Sequence, residues 1–429
     1  MQRQIAEYPI ARGQYNELKN RMLNWVNRFS ILLFLDSNGY TDKYGHYELL
    51  VGAGAVGEVK DSLEALQEAH NMRKDWYFGN IGYDYKNQLE SRLSSARESR
   101  HVFPELYFFR PQIVCYVDKA KTTLHIETLI VDPEEIYHDI IATSPDVVNE
   151  LPQVEWQHRI DKPTYLQTID TLREHIRNGD CYEINYCTEG YAEEVRLQPI
   201  HVFRSLNELS PAPFAAFYRN NEAYMMCASP ERYIRKQGDK ITSQPIKGTA
   251  RRDADASKDE QIKTGLQQNI KERAENVMIV DLVRNDLARC CEVGSVQVDE
   301  LFGIYTFPQV HQMISTVSGT LTQQACFSDA IRYSFPMGSM TGAPKVKVME
   351  LIEQYEHSRR ELFAGTVCYI TPNGDFDLNV IIRSIFYNGF TGYLSYQTGG
   401  AITYGSIAEQ EYEEMRLKAW ALESVFEQA

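Results

Sequence analysis

Apolar positions along the chain fall into two rhythms. Residues 30–35 form a short apolar run and 122–131 a looser alternating one, and both predict strands. Between them, residues 61–73 step by three and four, the pattern of an amphipathic helix. Pro163 opens a second helical pattern, which runs to Arg177 and stops at Asn178 and Gly179. The stretch 144–161 is polar, holds two prolines and predicts a linker. Beyond it strand patterns dominate. Residues 223–229 and 232–237 predict strands, Gly238 and Asp239 a tight turn, and 240–246 the returning antiparallel partner. Ile262, Leu266, Ile270 and Ala274 step by four within 260–291 and predict one long helical stretch. Residues 366–370, 376–387 and 392–398 predict a meander, turned at Pro372, Asn373 and Gly374 and again at Asn388 and Gly389. Strands with long helices between them, without a regular βαβ rhythm, predict an α+β chain with large antiparallel sheets.

Bulk properties narrow the function classes. A chain of 429 residues can bury a large core or divide into two or three domains. The net charge of −15 excludes nucleic acid as a natural partner. An acidic protein that binds an anion must gather cations at one place, which directs attention to Lys247, Arg251, Arg252, Lys345 and Arg383. Eight cysteines without C-x-x-C spacing read as free thiols in a reducing compartment. The N-terminus has no apolar signal core, and the run at 31–35 is too short to cross a membrane, so a cytoplasmic protein is expected. Glycine-rich phosphate loops are missing, which argues against a nucleotide enzyme.

Several residue groups have the chemistry of a site. In QPIKGT, Lys247 stands at a strand end beside Gly248, where an ammonium can meet a small anion or, with a lowered pKa, act as a nucleophile. Taken alone, a turn lysine is more often a surface residue. Glu231 lies opposite Lys247 if the hairpin loop has three residues, whereas a two-residue loop turns the two to opposite faces. Glu272 and Glu275, and Glu411 and Glu414, are each three apart, so each pair shares one helix face. Two such pairs could converge on magnesium, although a solvated acidic face is the commoner arrangement. The glycine-containing loop 336–345 feeds a helix whose first amides can hold an anion. Arg383 follows an apolar run and needs a carboxylate partner, from protein or substrate. Gly399 and Gly400 sit in a strand pattern, where glycine marks close approach.

Together the words PIKGTARR, ENVMIVDLVRNDLARCCEVGSV, GSMTGAPKVKVMELIE, DFDLNVIIRS and EQEYEEMRLKA resemble the chorismate-utilising enzymes, the anthranilate synthase component I family, from about residue 163 onward. Residues 35–37 and 76–84 resemble that family's N-terminal region more loosely. The resemblance implies two face-packed antiparallel sheets with surrounding helices. Residues 1–145 would complete the sandwich and 160–429 would form the catalytic core. Anthranilate-forming members carry alanine where Lys247 stands; members with lysine there form 4-amino-4-deoxychorismate for folate synthesis, the lysine attacking chorismate with Glu231 as the acid. Isochorismate-forming members activate water with a different lysine, at the place held here by Glu183, where ammonia users usually carry glutamine. The resemblance further implies Mg2+ on Glu275 and Glu414, with Glu272 and Glu411 as second ligands. Gly248, Thr249, Ser339, Phe363, Arg383, Gly399 and Gly400 match substrate contacts, and Ala401 departs from the family's G-A-G-I-V run. His311 matches a histidine tied to aromatisation in anthranilate-forming members. Ser37, Ala212, Pro213 and Phe214 match a tryptophan site of some relatives. A separate glutaminase subunit would supply ammonia. Anthranilate formation and a non-catalytic regulatory subunit are the alternatives.

Overall fold

The structure, a computed structural model, describes residues 2–146, 151–308 and 310–427. Its strands form two antiparallel arms that part from one long strand, Leu106–Asp118. From Phe108 to Asp118 that strand pairs with Tyr47–Val59. On its other edge the first half pairs with Tyr77–Ile81 and the second half with Thr123–Thr128. The first arm continues from Tyr47–Val59 through Ile31–Asp36, Phe214–Asn220, Ala223–Ser229, Ser384–Asn388 and Tyr393–Thr403 to Glu183–Ala192. The second continues from Tyr77–Ile81 through Thr366–Ile370, Phe376–Asn379, Arg232–Gln237 and Lys240–Gln244 to Val310–Thr320.

The arms pack face to face, and the sequence period explains how. In Ile31–Asp36, Leu33 points into the core between the arms while Leu32 and Phe34 point outward beneath helices. Met225 and Met226 divide in the same way. Phe78 of the second arm presses on Gly52 of the first, and the Tyr218 hydroxyl donates to Asn80 Oδ1 across the interface at 2.9 Å. Helices Tyr15–Val26, Pro133–Ala142 and Pro199–Leu209 cover the outer core of the first arm. The α+β architecture of two antiparallel sheets with flanking helices is therefore the one expected.

Three expected elements break, each for a local reason. The stretch 260–291 is two helices, Ala256–Gln268 and Ile270–Ala288. Asn269 divides them because its side chain accepts from the amides of Lys271 and Glu272 and so caps the second helix. Ile270 is consequently 85% exposed and Ala274 is exposed too, so the four-residue stripe ends at Leu266. Residues 240–246 stop at Gln244 since Pro245 has no amide to donate, and a new strand, Ile246–Arg251, begins after it. The expected strand 376–387 is interrupted at 380–383: Val380 donates to Glu231 O and Ile381 to Gly365 O, and Arg383 takes a left-handed φ of 53°. Arg383 is thus a kink residue and not a strand residue. Within the expected linker 144–161, residues 147–150 lie outside the described residues; Gln157 and His158 pair with Tyr191 and Gly190.

Candidate functional site

These breaks aim side chains into one cavity of about 990 Å3, a size suited to a small ligand. Strand Ile246–Arg251 contributes Lys247, Gly248 and Thr249. The first turns of Ile270–Ala288 bring Lys271, Glu272 and Glu275, and helix Ala408–Glu423 brings Glu411, Glu414 and Lys418 from the opposite side. Ser339, Phe363, Arg383, Gly399 and Gly400 complete the lining, together with Glu231. All the residues expected to catalyse, to touch substrate or to hold metal therefore surround a single space.

The hairpin explains how Glu231 and Lys247 meet. Its turn has two residues, with Gln237 opposite Lys240, the case that separates the two side chains. A bulge between Arg232 and Arg235 then moves the register one residue further, to Arg232 opposite Gln244, which undoes that separation. The Ile246 amide approaches Glu231 Oε1 at 3.4 Å, so the carboxyl sits beside the residue preceding Lys247. Burial pushes the Glu231 carboxyl up to about 7, against the opposing pull of Ser339, the Ile246 amide and Lys247. It is a carboxylic acid able to hold a proton near neutrality.

Lys247 does not have the lowered pKa its nucleophilic role led us to expect. Its ammonium lies 2.7 Å from Glu183 Oε1, and Glu183 is 1% exposed on its side chain. Burial works to lower the lysine, but Glu183 first, then Glu275 and Glu231, outweigh it, and the net shift is upward. The resting lysine is a cation.

The four glutamates carry a high negative charge density. Burial raises Glu275 to about 7, and also raises Glu272, whereas Glu414 is lowered by Lys418, 2.7 Å away. Lys271 stands 3.8 Å from Glu275 and 3.7 Å from Glu411 and supplies balancing charge. Carboxylate oxygens suit magnesium, and Glu275 Oε1 is buried without a hydrogen-bond partner, as a latent ligand would be. Among the described residues, no three acidic side chains converge as tightly as a bound ion requires. The donor chemistry suits the ion, while Lys271 holds the place between Glu275 and Glu411.

Arg383 is half-buried in the cavity wall, and among the described residues its guanidinium makes no hydrogen bond or ion pair. Burial lowers its pKa and distant Glu414 only partly compensates. Such a group calls for an anionic ligand. At Gly399 the close approach is to backbone: a Cβ there would collide with the Tyr186 carbonyl of the neighbouring strand. Gly400 faces the acidic helix, where a Cβ would lie 3.5 Å from Glu411 Oε2.

Other expectations separate from the cavity. Lys345 is held by Asp286 at 2.7 Å and is not free for an anion. His311 donates from Nε2 to Asp259 at 2.9 Å, shares a hydrogen bond with Thr306 through Nδ1 at 3.0 Å, and is fully engaged away from the lining. Ser37, Pro213 and Phe214 line a second, small cavity of about 70 Å3, while the Ala212 carbonyl accepts from Asn38. Arg232 fills much of that region, ion-paired with Asp42 and Asp377 and placed over the Phe214 ring. Lys418 donates to Gly399 O at 2.8 Å inside the main cavity. Its spacing of four from Glu414 and seven from Glu411 was the available signal. Lys271, one residue before Glu272, was missed as well.

Comparison with known proteins identifies the family. Residues 40–424 match the family model described as chorismate binding enzyme. The chain is 40% identical over 362 residues to the aminodeoxychorismate synthase of Streptomyces griseus, covering 80% of this chain and 49% of that protein. It is 37% identical over 337 residues to aminodeoxychorismate synthase component 1 of Escherichia coli K12, covering 78% and 73%. The chain thus spans about half the length of the first relative and nearly three quarters of the second. Anthranilate synthase component I of Streptococcus pneumoniae superposes with a TM-score of 0.79 at 25% identity, over 90% of this chain and 93% of that one. The menaquinone-specific isochorismate synthase of Escherichia coli superposes at 0.78 over 99% and 94%, and at 17% identity that likeness is one of fold. By the match over most of its length and by these relatives, the chain belongs to the chorismate-binding enzyme family.

Proposed function

We propose that the protein is the chorismate-aminating component of an aminodeoxychorismate synthase, converting chorismate and ammonia to 4-amino-4-deoxychorismate. One observation carries the reading: the Lys247 side chain and Glu231, whose carboxyl burial raises to about 7, border the same cavity. Lys247 attacks the ring while Glu231 protonates the departing 4-hydroxyl, which leaves as water. Ammonia then displaces the lysine. Arg383, lacking a protein partner, binds a substrate carboxylate through its planar fork. Glu275 and Glu414, with Glu272 and Glu411 behind them, would hold Mg2+, which supplies charge neutralisation at a second carboxylate. Gly248, Thr249 and Ser339 offer close backbone and hydroxyl contacts, and Phe363 an apolar wall.

A glutaminase subunit supplies the ammonia in this reading, and the product serves folate synthesis in the cytoplasm. No helix among the described residues is long and apolar enough to cross a membrane. The test is an assay with chorismate, ammonium and magnesium, with products separated by mass. Aminodeoxychorismate supports the reading; anthranilate or isochorismate as the sole product overturns it.

A further inference from the structure

The mechanism has so far left one buried carboxylate unused. Glu183 opens the strand Glu183–Ala192, with Thr403 opposite it on one side and Ala343 on the other, so its backbone is fixed in the sheet. Its side chain is 1% exposed, and neither carboxylate oxygen has a hydrogen-bond donor among the described residues other than the ammonium of Lys247, 2.7 Å from Oε1. A carboxylate that served only to hold the sheet together would be tied to backbone amides or to an arginine fork, as Glu356 is to Arg360 and the Cys187 amide. Glu183 instead keeps its lone pairs free and directs one of them at the single residue that must lose a proton before it can act.

We propose that Glu183 is the proton acceptor that converts Lys247 from ammonium to nucleophilic amine; the inference rests on the aminating function proposed above. The resting cation cannot attack, since its nitrogen has no lone pair. The Lys247 N–H bond breaks and its proton passes to Glu183 Oε1. The freed pair forms the N–C bond to the ring, the ring double bond shifts, and the C–O bond at the 4-position breaks with the Glu231 proton going to the oxygen. Water departs. When ammonia attacks, the N–C bond to Lys247 breaks and returns its electron pair to the lysine. Glu231, now ionised, takes a proton from the incoming nitrogen, and Glu183 gives its proton back to Lys247. The cycle closes with chorismate and ammonia consumed, aminodeoxychorismate and water released, and each acid in its starting state.

The division of labour follows from the surroundings. Glu231 has to enter the cycle protonated, so it cannot take the lysine proton as well. Glu275 also acts on Lys247 but lies beyond ion-pair distance, among the glutamates assigned to the metal. The charged groups facing the Lys247–Glu183 pair are Glu231 from the hairpin, Glu272 and Glu275 from helix Ile270–Ala288, and Glu414 from helix Ala408–Glu423. Glu183 alone is both in contact and unengaged.

The experiment follows the covalent lysine adduct by rapid quench and intact-protein mass, in the absence of ammonia, for wild type, Glu183→Gln and Glu183→Ala. A general base contributes about 100-fold or more, so adduct formation by Glu183→Gln near neutrality falls by that order while chorismate affinity, read from tryptophan fluorescence, is unchanged. Added formate restores adduct formation to Glu183→Ala, a rescue that a purely structural role would not show. A carboxylate that merely clamps the lysine as a cation predicts the reverse, because glutamine would free the amine and speed the adduct. An equal or faster rate in Glu183→Gln, or no formate rescue, overturns the proposal. If Glu183→Gln does not bind chorismate, Glu183→Asp decides: slower adduct formation at unchanged affinity supports the transfer, and an unaltered rate overturns it. Wild type that forms no adduct overturns the underlying function; wild type that forms it while Glu183→Gln keeps pace overturns the proton transfer alone.

Discussion

Replacing Lys247 by alanine tests the buried pair through stability as well as activity. The variant leaves Glu183, 1% exposed, without its cation. Breaking a buried pair by removing one member costs about 3–5 kcal/mol, most of it from stranding the other charge. Lys247 is itself 10% exposed and borders a cavity that admits water, so the lower figure, about 3 kcal/mol, is the expectation. Unfolding entropy of about 2 cal/mol/K per residue gives a chain of 429 residues roughly 0.9 kcal/mol/K, and the loss therefore lowers Tm by about 3 °C. Calorimetry at pH 7 measures the shift, and the same samples are assayed for aminodeoxychorismate, which should vanish. Neutralising the stranded group repairs the fold but not the chemistry: Lys247→Ala/Glu183→Gln should regain most of the lost Tm and stay inactive. If Lys247→Ala melts with wild type, or the second substitution recovers nothing, the two charges are not coupled and the geometric argument fails.

Three more outcomes are expected. Arg383→Lys keeps a charge but loses the fork, and a lost charge-assisted hydrogen bond is worth about 1.5–3 kcal/mol, so kcat/KM for chorismate should fall by about 10- to 100-fold with little change in Tm; unchanged kinetic constants would make Arg383 a structural residue. Glu275→Gln and Glu414→Gln each delete a hard ligand and should weaken Mg2+ binding, read by titration calorimetry, and abolish metal-dependent turnover; full wild-type turnover in excess chelator counts against the site. Glu231 acts in its protonated form and is raised to about 7, so the rate of lysine-adduct formation should be maximal below that pH and fall as pH rises through it, a limb that Glu231→Gln removes together with most of the rate; persistence of the limb in the variant assigns it to another group.

The extent to which the sequence announced this site depends on the kind of signal involved. Periodicity placed the strands Ala223–Ser229, Arg232–Gln237 and Thr366–Ile370 at their observed bounds, because alternation and flanking turns are local properties. The meeting of Glu231 with Lys247 was undecidable from the loop alone, since the bulge that corrects the register has no sequence mark of its own. Asn269 within a helical pattern was a legible cap that the four-residue stripe concealed. Lys271 could not be told from a surface lysine, and the spacing of Lys418 from Glu411 and Glu414 becomes telling only once two helices distant in sequence are known to face one another across the cavity. Family words fixed the order of the site residues and set Glu183 among them, but the 2.7 Å contact through which Glu183 keeps Lys247 a cation is a product of tertiary structure.

The two sheet arms carry a further consequence for how the chain can be cut. Residues before the expected linker contribute contiguous strands to both arms, and they join the later strands along two edge-to-edge seams: Ile31–Asp36 on Phe214–Asn220, and Tyr77–Ile81 on Thr366–Ile370. A fragment starting near residue 160 would keep every cavity-lining side chain and yet expose both seams at once. The strands laid bare, FAAFYRN and TVCYI, are rich in aromatic and β-branched residues and contain one charge between them. Such open edges recruit other strands. Separated from its first third, the site-bearing portion would therefore be prone to self-association, and the early residues protect the rest of the chain from aggregation even though they contribute no side chain to the main cavity.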